Sequence, residues 1–226
     1  MDDLPYLFCD AVVGTVSDVS DLSNLSDPFA NSWVFALSSF ENLRFSTWIS
    51  AFEDHYSKRQ DFILWNGFVD GVWSYQFCNF NAKTDESELY DFKTVQQLRK
   101  KYFRITEVAY SDDLFKNISS FKEIGEITKF ISPFVNLASL HLYNKQIEES
   151  DLSSLLSHFR NAQFDRIYLD HYRTCHENLL LIQLRFDFLE HLDISGDNCP
   201  KEVQLEIEEF LLKKSFESVY FYKTNF

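Results

Sequence analysis

The sequence predicts an α/β chain: a short helical unit, then a β-hairpin, then an irregular repeat of strand and helix. Three observations carry that prediction. An apolar-x-x-apolar-x-apolar pattern recurs through the second half, and stretches of helical periodicity separate its occurrences. Asp70-Gly71, a turn signal, also sits between two runs rich in alternating apolar residues. With 226 residues, 45% of them apolar, the chain can bury the core of one or two domains.

Residues 1–45 form the first expected element. Leu4-Pro5 is followed by Phe8, Cys9, Val12, Val13 and Val16, whose spacing makes one apolar face of a short helix starting after a proline. A second helical piece carries Leu22 and Leu25, and a third begins at Trp33, beyond Asp27-Pro28. So small a unit is too poor in core to stand alone and must dock on its own body or on another chain. Residues 46–102 are expected to hold a linker helix, the hairpin and a connecting helix. Phe62, Leu64 and Phe68 precede the turn, and Trp73, Tyr75 and Phe77 alternate after it, which reads as a hairpin packed on the first repeat. Lys83–Asp91 is polar and reads as a loop; Phe92–Tyr102 reads as a basic helix with Val95 and Leu98 inward.

Residues 103–226 carry the repeat. Its four clear units are Leu137-Ala-Ser-Leu140-His-Leu142, Phe164-Asp-Arg-Ile167-Tyr-Leu169, Leu189-Glu-His-Leu192-Asp-Ile194 and Phe216-Glu-Ser-Val219-Tyr-Phe221. They start 27, 25 and 27 residues apart, and Ile105-Thr-Glu-Val108-Ala-Tyr110 is an earlier candidate. Pattern and period are those of a leucine-rich repeat, although no asparagine stands at the usual ladder position. An ordinary α/β domain of alternating strands and helices fits the same pattern. The intervening helices are expected around Phe121–Ile131, Leu152–Phe159 with Ser150 or Asp151 as cap, Leu179–Phe188, and Val203–Leu211 with Pro200 at its start.

In each unit the last two apolar residues point inward, and the residues between and beside them point out. One outward row then holds His141, Tyr168, Asp193 and Tyr220; a second holds Tyr143, Asp170, Ser195 and Tyr222; a third holds Arg166, His191 and Ser218. Tyrosine gives large contact area at low entropic cost, so these rows are the expected partner surface, and the acids among them point to a ligand with basic groups. A composition with 24 Phe and 11 Tyr also puts aromatics on surfaces without any such role.

Other chemistry is not expected. A net charge of −14 repels nucleic-acid phosphates, and five glycines write neither a P-loop nor a dinucleotide fingerprint. His171, Cys175 and His176 lack the further ligand a structural metal needs. Cys175 and His176 adjoin each other in a helical stretch and diverge, so no thiol–imidazole pair is expected. The reading is therefore of a non-enzyme without cofactor or metal. Four scattered cysteines without a CxxC pair read as reduced thiols. An acidic start and no long apolar run place the expected protein inside the cell, cytoplasmic or nuclear, away from membranes.

The Leu4-Pro5 opening, the apolar spacing of Phe8, Cys9, Val12 and Val16, the closing Trp33 and the downstream repeat together resemble an F-box protein with leucine-rich repeats. The run Met1–Val12, with Phe130–Leu137 and Glu148–Leu152, is especially similar to nematode-expanded F-box-like families. The chain departs from the pattern at Leu7, where an acid is usual. The resemblance implies a substrate-recognition adaptor of a Skp–cullin ubiquitin ligase. Leu4, Pro5, Phe8, Cys9, Val12, Val13, Val16 and Trp33 would hold the Skp subunit, and the repeat face would hold a protein target. The other expectation is a stand-alone protein that sequesters a partner, with the amino-terminal unit serving only as a cap.

Overall fold

The computed structural model describes residues 58–81, 86–185, 188–195, 199–213 and 218–222. The expected unit over 1–45 lies outside the described residues, as does the linker helix before position 58. The chain divides between Arg59 and Gln60, and the second part, Gln60–Phe226, is a mixed α/β unit built on one sheet.

The hairpin opens that sheet. Strands β1 (Gln60–Val69) and β2 (Val72–Asn81) pair antiparallel across Asp70 and Gly71, which take φ of 50° and 82°. Both central turn residues thus lie in the left-handed region that a two-residue hairpin of this hand requires. The hairpin joins the repeat in the plane of the sheet instead of packing across it: β1 runs parallel to β4 (Phe103–Ser111) along its length. From β4 the sheet continues through β6 (Val135–Leu142), β7 (Gln163–Leu169), β8 (His191–Ser195) and β9 (Ser218–Tyr222), each parallel to the last. On the other side, β3 (Glu86–Tyr90) and β5 (Asn117–Ser119) both pair antiparallel with β2. The segment expected as a loop over 83–91 therefore contains a strand. Its polar sequence, Glu-Ser-Glu-Leu-Tyr, is what an edge strand carries, and polarity alone conceals it.

Among the described residues, five helices fill the connections: α1 (Phe92–Gln97), α2 (Phe121–Ile131), α3 (Glu149–Leu156), α4 (Thr174–Arg185) and α5 (Lys201–Lys213). The basic helix expected over Phe92–Tyr102 is a six-residue helix followed by a 3-10 turn at Lys100–Tyr102. Helix α3 starts two to three residues earlier than its expected caps: Glu148 stands at the N-cap, and Ser150 and Asp151 lie within the first turn. Helix α4 also begins earlier than Leu179 and ends before Phe188. None of the described helices is long and apolar enough to cross a membrane.

All five helices contribute to one core on one face of the sheet. Ile124, Ile127 and Ile131 of α2, Leu152 and Leu155 of α3, Leu179 and Leu180 of α4, and Val203 and Ile207 of α5 pack over Val108, Leu140, Leu142, Ile167, Leu169, Leu192 and Ile194. Phe62, Phe77, Phe92, Phe103 and Phe130 extend it under the hairpin as a chain of ring contacts. Buried Gln183 joins α4 to β7, accepting from the Phe164 N–H at 3.0 Å and donating to the Ala162 carbonyl at 2.8 Å. Leu137 departs from the repeat: it sits at a bulge with φ of 49°, and Ala138 takes the buried position opposite Phe164.

Helix α2 offers a clean stability test. A Cβ added at Gly125 meets nothing within 4 Å. Gly125→Ala is expected to raise stability by about 0.5–1 kcal/mol through the entropy of the unfolded chain. Urea denaturation checks it.

Candidate functional site

The side of the sheet turned away from the helices carries the candidate site. Strand pairing lines up its residues across the whole sheet. Trp65, Ala109, His141, Tyr168, Asp193 and Tyr220 stand opposite one another in a single row from β1 to β9. Ile63, Glu107, Ser139, Arg166, His191 and Ser218 form the next. On the far side, Tyr143 and Asp170 extend β6 and β7 by one bonded residue each, since their N–H groups donate to Tyr110 and Leu142. Ser195 pairs with Tyr222 beside them. The three outward rows expected from period-two alternation are thus brought together, Tyr220 and Tyr222 by register position.

The middle of this face is aromatic. His141 and Tyr168 stack at 4.4 Å with 9° between their planes, and His191 approaches Tyr168 at 4.9 Å. The His141 Nδ1 shares a 2.6 Å hydrogen bond with the Tyr143 hydroxyl. Burial holds the His141 imidazole below its ordinary range, against an upward pull from Glu107. Burial raises the Asp193 carboxyl; His191 draws it down and Asp170 pushes it up. Lys145 meets Asp170 at 3.2 Å, with both side chains largely in solvent.

Toward β1 the face is closed by the chain itself. The 112–116 loop crosses there: the Phe115 N–H donates to the Ser74 hydroxyl at 2.9 Å, and the Phe115 ring stacks on Trp65 at 5.9 Å. The crossing is possible because residue 67 is glycine; a Cβ there would lie 1.9 Å from the Asp113 carbonyl oxygen. Trp65 is further fixed by donating from Nε1 to Glu107 at 3.3 Å.

Two residues that organise the strand ends are not evident from the sequence. Asn144, buried just beyond β6, donates to the Phe68 and Ser111 carbonyls at 2.8 and 2.6 Å and accepts from the Gln146 and Ile147 N–H groups at 2.7 and 3.1 Å. It serves the backbone-satisfying role of a ladder asparagine from a position two residues past Leu142, and that placement was the available signal. Arg173, after β7, donates to the Ile147, Asn144 and Lys145 carbonyls and so clasps the same loop.

His171, Cys175 and His176 do not gather into a centre. No group of three or more His, Cys, Asp or Glu among the described residues could hold a metal. Burial, with Glu149 adding to it, pushes the Cys175 thiol up to about 11, the reverse of an activated thiolate. His176 is buried and accepts the Arg173 N–H at Nδ1, and burial with the Arg173 charge holds it down to about 4. An unfolded histidine titrates near 6.5. Between these values the unfolded chain takes up a proton that the folded chain refuses, so stability falls as pH falls through the window, by at most about 1.4 kcal/mol per pH unit. His176→Gln is expected to flatten this part of the profile, read as urea midpoints against pH.

Leu4, Pro5, Phe8, Cys9, Val12, Val13, Val16 and Trp33 lie outside the described residues. Comparison with protein-family models, with curated proteins and with solved structures finds no match to the chain.

Proposed function

We propose that the protein is a non-catalytic adaptor that holds a protein target on the sheet face and a Skp-type subunit of a cullin ubiquitin ligase through residues 1–45. The observation that carries the reading is the aligned outward rows, in which His141, Tyr168 and His191 form a continuous aromatic surface on the side opposite the helix layer. An open sheet face with stacked aromatics and a polar surround suits protein recognition, where a few such anchors dominate the binding energy. In this reading the strand–helix repeat is an irregular leucine-rich solenoid, and the Leu4-Pro5 unit is an F-box. Phe8, Cys9, Val12, Val13, Val16 and Trp33 would be buried against the Skp subunit, worth about 25 cal/mol per Å² before association costs.

The test uses purified Skp subunit and the full chain. Binding is expected, and Pro5→Asp with Val12→Asp is expected to abolish it while the unfolding midpoint of the sheet unit stays in place. Absence of binding by the unaltered chain would overturn the adaptor reading. One observation favours a second reading, a stand-alone protein that sequesters its partner: residues 1–45 carry seven acids against Arg44 alone. That charge opposes encounter with an acidic Skp subunit. Full activity in the Pro5→Asp, Val12→Asp variant would select it.

A further inference from the structure

The aromatic part of the sheet face has an electrostatic character that specifies more than a generic partner. Three carboxylates border it: Glu107 on β4, Asp170 at the end of β7 and Asp193 on β8. Burial raises the Tyr143 hydroxyl, and the charges of all three carboxylates push it further in the same direction. The Asp193 Oδ1 is buried and has no hydrogen-bond partner. Lys145 sits on Asp170 in an exposed pair, of a kind readily exchanged for another cation. Arg166 is exposed in the neighbouring row, beside His191.

We infer that this part of the face takes a basic segment of a protein partner, with an arginine or lysine side chain lying against Tyr143 and Tyr168 and its charge met by Asp193 and Asp170. The inference rests on reading the sheet face as the partner surface and adds the partner's chemistry. Aromatic ring faces attract cations, and the carboxylates of Asp193, beside Tyr168 in the same row, and of half-exposed Asp170 border the rings. An acidic segment would face three carboxylates at once. A purely apolar one would bury Asp193 without a partner, which is costly. The net charge of −14 steers a basic ligand toward the protein from a distance.

The probe is a fluorescent peptide of four Arg-Ser repeats, with a Glu-Ser peptide of equal length as its counterpart, titrated with the full chain. Arg-Ser is expected to bind and Glu-Ser not. Asp170→Asn with Asp193→Asn is expected to weaken Arg-Ser binding about tenfold. Glu206→Gln with Glu208→Gln removes the same charge from exposed positions on α5 and is expected to leave the affinity unchanged. On the unaltered chain, the imidazole NMR signals of His141 and His191 are expected to move on titration while that of His158 stays still. Equal weakening by the two double variants would mean unspecific attraction, and the inference falls. It also falls if the His141 and His191 signals do not move at saturation, a readout that needs no variant to fold. Loss or retention of Skp binding in the Pro5→Asp, Val12→Asp variant bears on the adaptor reading alone, so the two can fail separately.

Discussion

Asn144→Ala is expected to lower the unfolding free energy by about 3 kcal/mol, seen as a lower urea midpoint with an unchanged slope. The side chain satisfies four backbone groups drawn from three places: the end of β1 at Phe68, the end of β4 at Ser111, and the loop at Gln146 and Ile147. The same loop reaches the hairpin turn, where Gln146 accepts from the Asp70 N–H at 3.2 Å. Alanine removes every one of these partners and leaves a space in a buried site. Each buried polar group left without a partner costs about 1–3 kcal/mol, tempered here by the water that can reach the strand ends. Asn144→Asp separates the two halves of the role. It keeps an acceptor for Gln146 and Ile147 but sets carboxylate oxygen against the Phe68 and Ser111 carbonyls, so it is expected to cost at least as much at neutral pH. A loss below about 0.5 kcal/mol for the alanine variant would mean that the strand ends are held by something else.

Gly67→Ala is expected to be comparably damaging, by about 2–4 kcal/mol, for a reason unrelated to backbone freedom. The obstacle is a close approach: the new Cβ would fall 1.9 Å from the Asp113 carbonyl oxygen and 2.8 Å from the Ser74 hydroxyl. A side chain could swing aside, but a backbone carbonyl moves only with its loop. The 112–116 loop must therefore lift, breaking the hydrogen bond from Phe115 to Ser74 and the stack of Phe115 on Trp65. Near-UV circular dichroism should lose the Trp65 contribution as stability falls. Gly125→Ala is the internal control, since the same substitution in open space is expected to act with the opposite sign. If the two behaved alike, the loop would not cross the sheet at Gly67.

The parts of this architecture that the sequence announces are those fixed by periodicity. The triplets at Val108, Leu140, Ile167 and Leu192 place their inward residues correctly, and their neighbours His141, Tyr168 and Asp193 consequently share a row. Asp70-Gly71 announces its turn because only a few residue pairs accept two positive φ values. What stayed hidden depends on long-range contacts. Strand β3 has the composition of a loop because its place at the edge asks for polar residues. Leu137 reads as the first apolar residue of its unit, yet a bulge gives that place to Ala138 and puts Leu137 in a conformation that leucine rarely adopts. The closing of the face over β1 rests on a missing side chain at position 67, and no local pattern marks it. Asn144 escaped because it stands one place short of the repeat position where an asparagine would be sought.

For the candidate site, the sequence supplied the residues of the aromatic rows but not their electrostatics. Asp193 reads as one more outward acid; only the fold removes its Oδ1 from solvent without a partner and sets Glu107 and Asp170 where their charges are felt at the Tyr143 hydroxyl. Its neighbours in sequence, Leu192 and Ile194, are core residues, so burial of the chain around it is a consequence of strand pairing on both sides.

The most direct test of the two-surface account is quantitative mass spectrometry of proteins retained by the full chain in its own cells, comparing two double variants with the unaltered protein. Tyr168→Ala with Asp193→Asn is expected to release one discrete protein while Skp and cullin remain. Pro5→Asp with Val12→Asp is expected to release Skp and cullin while that protein remains. If each variant released both sets, or neither released either, the sheet face and residues 1–45 would not be separate binding surfaces, and the adaptor account would be wrong.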